Sequence, residues 1–318
     1  MTLSQLNYIV AVANHLNFGA AAASCFVTQP TLSMQVQKLE EELNLEIFDR
    51  SQIPIRMTPI GEQLVAQARI ALAEAQKILD LSNQENNQVA GSIAIGVIPT
   101  LSPYMLPLFI QTFSERYPET MITIEELQTH QIIEGLRNDR LDIGILVTPL
   151  NISNLVEHPL FYEPFLLYVS PQHPLANEKK IHERDLSSTD IWLLTEGHCF
   201  RDQVLNLCKE KRGKLNRNLR FESGNLETLK KMVDQTHGYT LLPALAADDI
   251  EASKKKKQIR EFHAPVPTRE ISLVHNKVYR RRAVTEALIK EIKAAIPSTL
   301  QKFKSGQQLK VDMPKFES

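Results

Sequence analysis

An unbroken helical pattern from Pro59 to about Asn87, with neither glycine nor proline after Gly61, constrains this chain more than any other feature. Along it Val65, Ala68, Leu72, Ala75 and Leu79 recur at intervals of 3, 4, 3 and 4, a narrow heptad seam rich in alanine. Such a seam suits a close helix–helix contact, either between two chains or between the helix and its own domain. The sequence differs in kind on its two sides. Short helical patterns precede it. After the polar stretch 82–88 (SNQENNQ), which reads as a hinge, strand-like and helix-like segments alternate.

On the N-terminal side, Leu3, Leu6, Ile9, Val10 and Ala13 recur at helical spacing. Ala20 to Val27 reads as a small-residue helix in which Cys25 is a small buried apolar group. Thr28 suits an N-cap, with Pro30 just inside the next helix, where its missing N–H is harmless. That helix turns Leu32, Val36 and Leu39 inward and Thr31, Ser33, Met34, Gln35 and Lys38 outward. Two short helices with a tight connection form the helix-turn-helix pattern. Gln29, Pro30, Thr31, Ser33, Met34, Gln37 and Lys38 are therefore the candidate DNA-facing residues. Arg50 and Arg56 flank a turn that reads as a β-wing, placed for the phosphate backbone or minor groove. Residues 1–58 carry Lys38, Arg50 and Arg56 against Glu40, Glu41, Glu42, Glu46 and Asp49. One copy of this domain should bind DNA weakly, and an oligomer contacting several half-sites would offset that.

Beyond the hinge, strands are expected at 93–97, 122–126, 143–147, 165–169, 191–194 and 271–274, and helices at 105–117, 131–138, 202–211, 226–235 and 282–294. The alternation implies a parallel-type α/β architecture with helices on both faces. Such folds place ligands or reactive groups at the C-terminal ends of strands. After about Ser298 the periodicity weakens into an appended tail, 299–318. A chain of 318 residues exceeds one small core, so two or three domains are expected. Its start lacks a signal-peptide pattern and no apolar run is long enough to span a bilayer, so a cytoplasmic protein with reduced thiols and no membrane partner is expected. The three cysteines, Cys25, Cys199 and Cys208, lack zinc spacing, and neither a metal nor a cofactor is expected. Nucleotide-loop, dinucleotide, GxSxG and HExxH motifs are absent, which argues against an enzyme. The run 254–257 (KKKK) and Tyr279 to Arg282 read as solvent-facing, His130, His173, His182 and His237 as surface or loop residues, and Trp192 as core.

The run FGAAAASCFVTQPTLSMQVQKLEEELNLEIFDR followed by MTPIGE resembles the winged helix-turn-helix of LysR-type transcriptional regulators. The resemblance extends over all but the last twenty or so residues. It implies a winged helix-turn-helix at 1–58, a long linker and dimerisation helix at 59–88, and an α/β sensor at 89–318. The sensor would be periplasmic-binding-protein-like, with one subdomain at about 89–163 and 266–300 and the other at about 164–265. Promoter DNA, a homo-oligomer (a dimer of dimers) and RNA polymerase are the partners it implies. Family recognition helices often carry an arginine where Met34 stands, so base preference is not carried over at that position.

Gly197-His198-Cys199-Phe200-Arg201-Asp202-Gln203, followed by Cys208, is similar to the hydrogen-peroxide-sensing branch of the same family, as are the runs GVIPT (96–100), LETL (226–229) and LLPA (241–244). That resemblance implies that Cys199 is peroxidatic and Cys208 resolving, that the two form a reversible disulfide, and that Thr100 and Thr129 support the peroxide. Thiolate is the attacking species, so Cys199 should have a depressed pKa, favoured by His198, Arg201 and a helix N-terminus. Two rival readings stay open: a LysR-type regulator answering a small organic effector in the inter-subdomain cleft, and a thiol peroxidase.

Overall fold

The computed structural model describes residues 1–51, 54–85, 89–187, 190–208, 224–277, 279, 281–301 and 307–308. The chain forms two compact units, one built chiefly on residues 1–86 and the other chiefly on residues 87–318.

Capping chemistry sets the short helices of the first unit. Helix α1 (Leu3–His15) starts in a capping box between Thr2 and Gln5. Asn17 caps α2 (Phe18–Ser24), and Thr28 caps α3 (Gln29–Leu43), with Pro30 in its first turn. Helix α2 is shorter than its composition suggests. Val27 N–H donates to the Ala22 carbonyl (3.1 Å) and Phe26 N–H to that of Ala23 (3.2 Å), a Schellman ending. Phe26 takes the left-handed position usually given to glycine, at φ 55°, and is 96% exposed. Cys25 is half-buried rather than sealed in the core. Strands β1 (Phe48–Asp49) and β2 (Arg56–Met57) pair antiparallel as the wing, Asp49 opposite Arg56.

Helix α4 (Pro59–Glu85) follows. Its first turns pack on this unit: Val65 and Ala68 are buried beside Leu6, Ile9, Val12 and Leu39, with Ala71 and Leu72 against them. The near half of the heptad seam is thus spent within the chain, while the side chain of Leu79 lies outside the described residues, as do residues 86–88 of the expected hinge. Gly61 is required by space. A Cβ there would lie 2.1 Å from the Ile47 carbonyl oxygen.

The second unit carries a mixed sheet, not a parallel one. Strand β3 (Gly91–Val97) is followed by α5 (Ser102–Arg116), β4 (Thr120–Glu126), α6 (Thr129–Arg137) and β5 (Ile143–Thr148); β3 pairs parallel with both β4 and β5. Strand β6 (Leu155–Val169) then runs fifteen residues, past β7 (Lys180–Ile181) to α7 (Cys199–Leu207). After α7 come α8 (Leu226–Gln235), β8 (Tyr239–Pro243), α9 (Ala244–Asp248), α10 (Ala252–Gln258), β9 (Ile259–Phe262), β10 (Pro267–Asn276), α11 (Arg282–Ala295), α12 (Ser298–Gln301) and β11 (Gln307–Gln308). Strand β10 pairs antiparallel with β5 and β6, and β6 antiparallel with β8 and β9. Two hydrophobic cores result. Leu155, Leu160 and Phe161 of β6 belong to one, and Phe165, Leu167 and Val169 to the other, so a single strand crosses between them.

Several local expectations need correction. The strand expected at 165–169 is the last third of β6, whose preceding residues include Pro159 and Pro164. Of 191–194 only Ile191 makes a β-bridge, to Tyr239, although all four residues are buried and Trp192 is core as expected. Arg281 does not face solvent; it is buried and donates to the Ser92 carbonyl. Lys254 and Lys255 are half-buried and pair with Asp234 (2.6 Å) and Asp248 (3.0 Å), whereas Lys256 and Lys257 are exposed. Residues 209–211 of the helix expected to Lys211, Arg280, and most of the tail lie outside the described residues. Among the described residues no helix is long and apolar enough to cross a membrane.

Gly61→Ala should destabilise the first unit although alanine is the better helix former. Thermal unfolding should show a clear loss of Tm, because the clash is with backbone rather than with a movable side chain.

Candidate functional site

The turn entering α7 places the Cys199 thiol. Gly197 has φ 92°, a conformation that calls for glycine, while a Cβ there would meet only the movable end of the Gln128 side chain. His198 follows as the N-cap and Cys199 as the first helical residue. Cys199, His198, Thr100 and Thr129 are all buried, and with Gln128 and Gly197 they line one small pocket walled by Ile98, Pro99 and Phe200. It has room for about one water-sized molecule. Thr129 opens α6 and turns its hydroxyl toward Cys199, where it favours the thiolate; that hydroxyl has no conventional hydrogen-bond partner.

Behind the pocket lies an ion pair that no local sequence signal predicts. Arg269 and Glu163 are directly opposite each other on β10 and β6, and neither side chain is exposed at all. Arg269 Nε donates to Glu163 Oε2 (2.8 Å), Nη1 to Thr100 Oγ1 (2.9 Å) and Nη2 to the Thr100 carbonyl (3.2 Å). The second carboxylate oxygen, Oε1, accepts from Leu245 N–H at 2.8 Å. The guanidinium also lies 5.9 Å from the centroid of the Phe200 ring.

The electrostatics of Cys199 differ from expectation. Burial pushes its thiol above the ordinary range. The Thr129 hydroxyl, the Arg269 charge and the Phe200 N–H work against that rise, and Asp202 adds to it. Arg201, expected to be the activating cation, instead donates to the Leu194 carbonyl (2.8 Å). His198 is not a cation here either, since burial lowers its pKa and keeps the ring neutral. The cation acting on the thiol is Arg269, seventy residues further along the chain.

Cys208 ends α7 as its C-cap and is free, as is Cys199. The two thiols occupy different cores, Cys199 the first and Cys208 the second. Burial pushes Cys208 up to about 11. Nine helical steps separate their Cα atoms by about 13 Å, against the ~7 Å limit for a disulfide.

On the first unit, Gln29, Pro30, Thr31, Met34, Gln37 and Lys38 are exposed on α3 and Ser33 is half-buried. Arg56 is exposed on the wing. Arg50 is held by Glu40 (2.6 Å) and lies over the Phe18 ring (5.0 Å), so it braces the wing against α2 and α3. Among the described residues no group of three or more His, Cys, Asp or Glu could hold a metal.

A helix-turn-helix with a wing, joined to a two-core α/β unit that holds a buried thiol, is the architecture of one class of bacterial transcription regulator. Residues 3–62 match the family "Bacterial regulatory helix-turn-helix protein, lysR family" and residues 86–297 match "LysR substrate binding domain". The chain belongs to the LysR family. It is 36% identical over 304 residues to the "DNA-binding transcriptional dual regulator OxyR" of Escherichia coli K12, covering 95% of this chain and 98% of that protein. It is also 36% identical over 275 residues to the "Hydrogen peroxide-inducible genes activator" of Haemophilus influenzae, covering 86% and 90%. Among solved structures it is similar to a full-length OxyR variant of Pseudomonas aeruginosa, with TM-score 0.73, 37% identity and coverage of 93% and 99%. A peroxide-bound OxyR mutant of Corynebacterium glutamicum matches with TM-score 0.63, 28% identity and 92% of each chain.

Removing Arg269 alone, as Arg269→Met, strands a buried carboxylate and should cost about 3–5 kcal/mol in denaturant unfolding. The pair Glu163→Gln with Arg269→Met should recover much of that. In the double variant Cys199 loses its cation, so its alkylation rate should begin to rise at higher pH than in the unaltered protein. An unchanged pH profile would show that Arg269 has no hold on the thiol.

Proposed function

We propose that the protein is a hydrogen-peroxide-responsive DNA-binding transcription regulator, switched by a reversible Cys199–Cys208 disulfide. The observation that carries this reading is the buried Cys199 thiol in a small pocket beside the hydroxyls of Thr100 and Thr129, with Arg269 behind it. A pocket of this size suits peroxide rather than an organic effector. Hydrogen-bonding groups around the sulfur fit a reactant with two hydroxyl oxygens.

In the resting state burial keeps Cys199 protonated, and entry of a polar molecule lessens the desolvation that raises its pKa. The Cys199 sulfur then attacks one peroxide oxygen and the O–O bond breaks. The thiol proton and the departing hydroxide leave as water, and the sulfur becomes a sulfenic acid. The Cys208 sulfur displaces that hydroxyl, a second water forms, and the disulfide closes. This second step cannot occur across an intact α7. Unwinding it brings the sulfurs within reach and also takes Cys208 out of the burial that holds its thiol near 11. The remodelled segment is the bistable element that would alter how the regulatory unit associates with other copies, and through them the contacts with promoter DNA and RNA polymerase. Association into a homo-oligomer would supply the avidity that so few cations on the helix-turn-helix demand.

Mass spectrometry after about one equivalent of hydrogen peroxide tests this directly. The intact protein should lose two hydrogens, mapped to a Cys199–Cys208 bridge. Cys208→Ser should stop at a sulfenic acid trapped by dimedone, and Cys199→Ser should not react. Survival of both thiols would turn the search toward an effector in the cleft. The rate with the unaltered protein should climb with pH through the neutral range, because the thiol is mostly protonated there.

A further inference from the structure

The outward face of α3 has an apolar centre. At about 100° per residue, Met34 points opposite the buried stripe Leu32, Val36 and Leu39, with Pro30 one turn before it and Lys38 one turn after. Met34 is 49% exposed. Two of its polar neighbours already have partners in the helix or its cap. The Thr31 hydroxyl lies 2.8 Å from that of Thr28, and Gln37 Nε2 donates to Glu41 Oε1 at 2.9 Å. The group most freely presented at mid-face is therefore a thioether chain that neither donates well nor carries charge.

The floor of the major groove has one apolar feature, the 5-methyl group of thymine. Methionine is unbranched and polarizable, and so adapts to a methyl contact. Residues near the start of a recognition helix are those that reach base edges, and Met34 is the sixth residue of α3. We propose that Met34 is a specificity-determining residue that selects thymine at one fixed position of the DNA site, through apolar contact with its 5-methyl group. This rests on reading α3 as the DNA-reading helix.

The test uses the full chain and synthetic duplexes. A duplex site is first selected from a random pool with the unaltered protein. Each thymine of that site is then replaced in turn by uracil, which removes the methyl group and keeps the Watson–Crick edge. At one position the replacement should weaken binding about fourfold, the value of burying one methyl-sized group. Met34→Ala, a change at an exposed position, should bind the thymine and uracil duplexes equally. Met34→Gln should shift preference at that same base pair while leaving the others unchanged. If every uracil replacement affects the unaltered protein and Met34→Ala alike, Met34 does not read thymine, while the selected site itself would still show that the protein reads DNA. If no duplex is enriched at all, the reading of α3 fails and the proposal fails with it.

Discussion

Arg269 and Glu163 form the contact on which the regulatory unit turns. They face each other across β10 and β6 at the point where β6 passes from one core to the other, between Phe161 and Phe165. Burying two charges has a large desolvation cost, so a pair of this kind is weak evidence for stability. Its effect is on placement. Glu163 fixes the start of α9 through Leu245 N–H, and Arg269 fixes the turn after β3 through both oxygens of Thr100. The guanidinium is thereby anchored next to the pocket that contains Cys199. Its charge reaches the thiol, tempered by the carboxylate that neutralises it.

The two thiols are kept apart by the same division. Cys199 belongs to the first core and Cys208 to the second, with α7 as the strut between them. A reduced state of this design resists chance oxidation in three ways. The helix enforces distance, burial holds both thiols protonated, and the pocket excludes bulky oxidants. On the proposed reading, a small oxidant that hydrogen-bonds with threonine hydroxyls would meet less of that resistance. On the proposed switch, the barrier to closing the disulfide lies largely in opening α7, whose buried residues Phe200, Val204 and Leu207 would lose their packing.

Much of this was legible in the sequence where the signals are local. The helix expected at 226–235 coincides with α8, and the start of α3 follows from Thr28 and Pro30. The Gly197–Cys199 motif singles out Cys199 as the candidate thiol, and Gly197 proves to be demanded by a positive φ. The signals failed where partners are distant. Arg201 looked like the activating cation because it is two residues from Cys199, but helix geometry turns it toward Leu194. Arg269 lies in an ordinary-looking strand, and its partner is 106 residues away, so nothing nearby announces it. Strand β6 was half hidden by Pro159 and Pro164, since proline in a strand reads as a boundary. The mixed sheet could not be foreseen from alternation alone, because antiparallel crossing strands and parallel ones have similar apolar runs. Phe26 defied a rule outright by occupying a glycine-type helix ending.

The proposed disulfide requires α7 to open, and hydrogen exchange of its backbone amides tests this most directly. In the reduced protein the amides of Val204 to Cys208 should be protected by the helix. After about one equivalent of hydrogen peroxide that protection should vanish over the same residues, together with the appearance of the Cys199–Cys208 bridge, and return on reduction. A bridge that forms while those amides stay as protected as before would contradict the need for α7 to open.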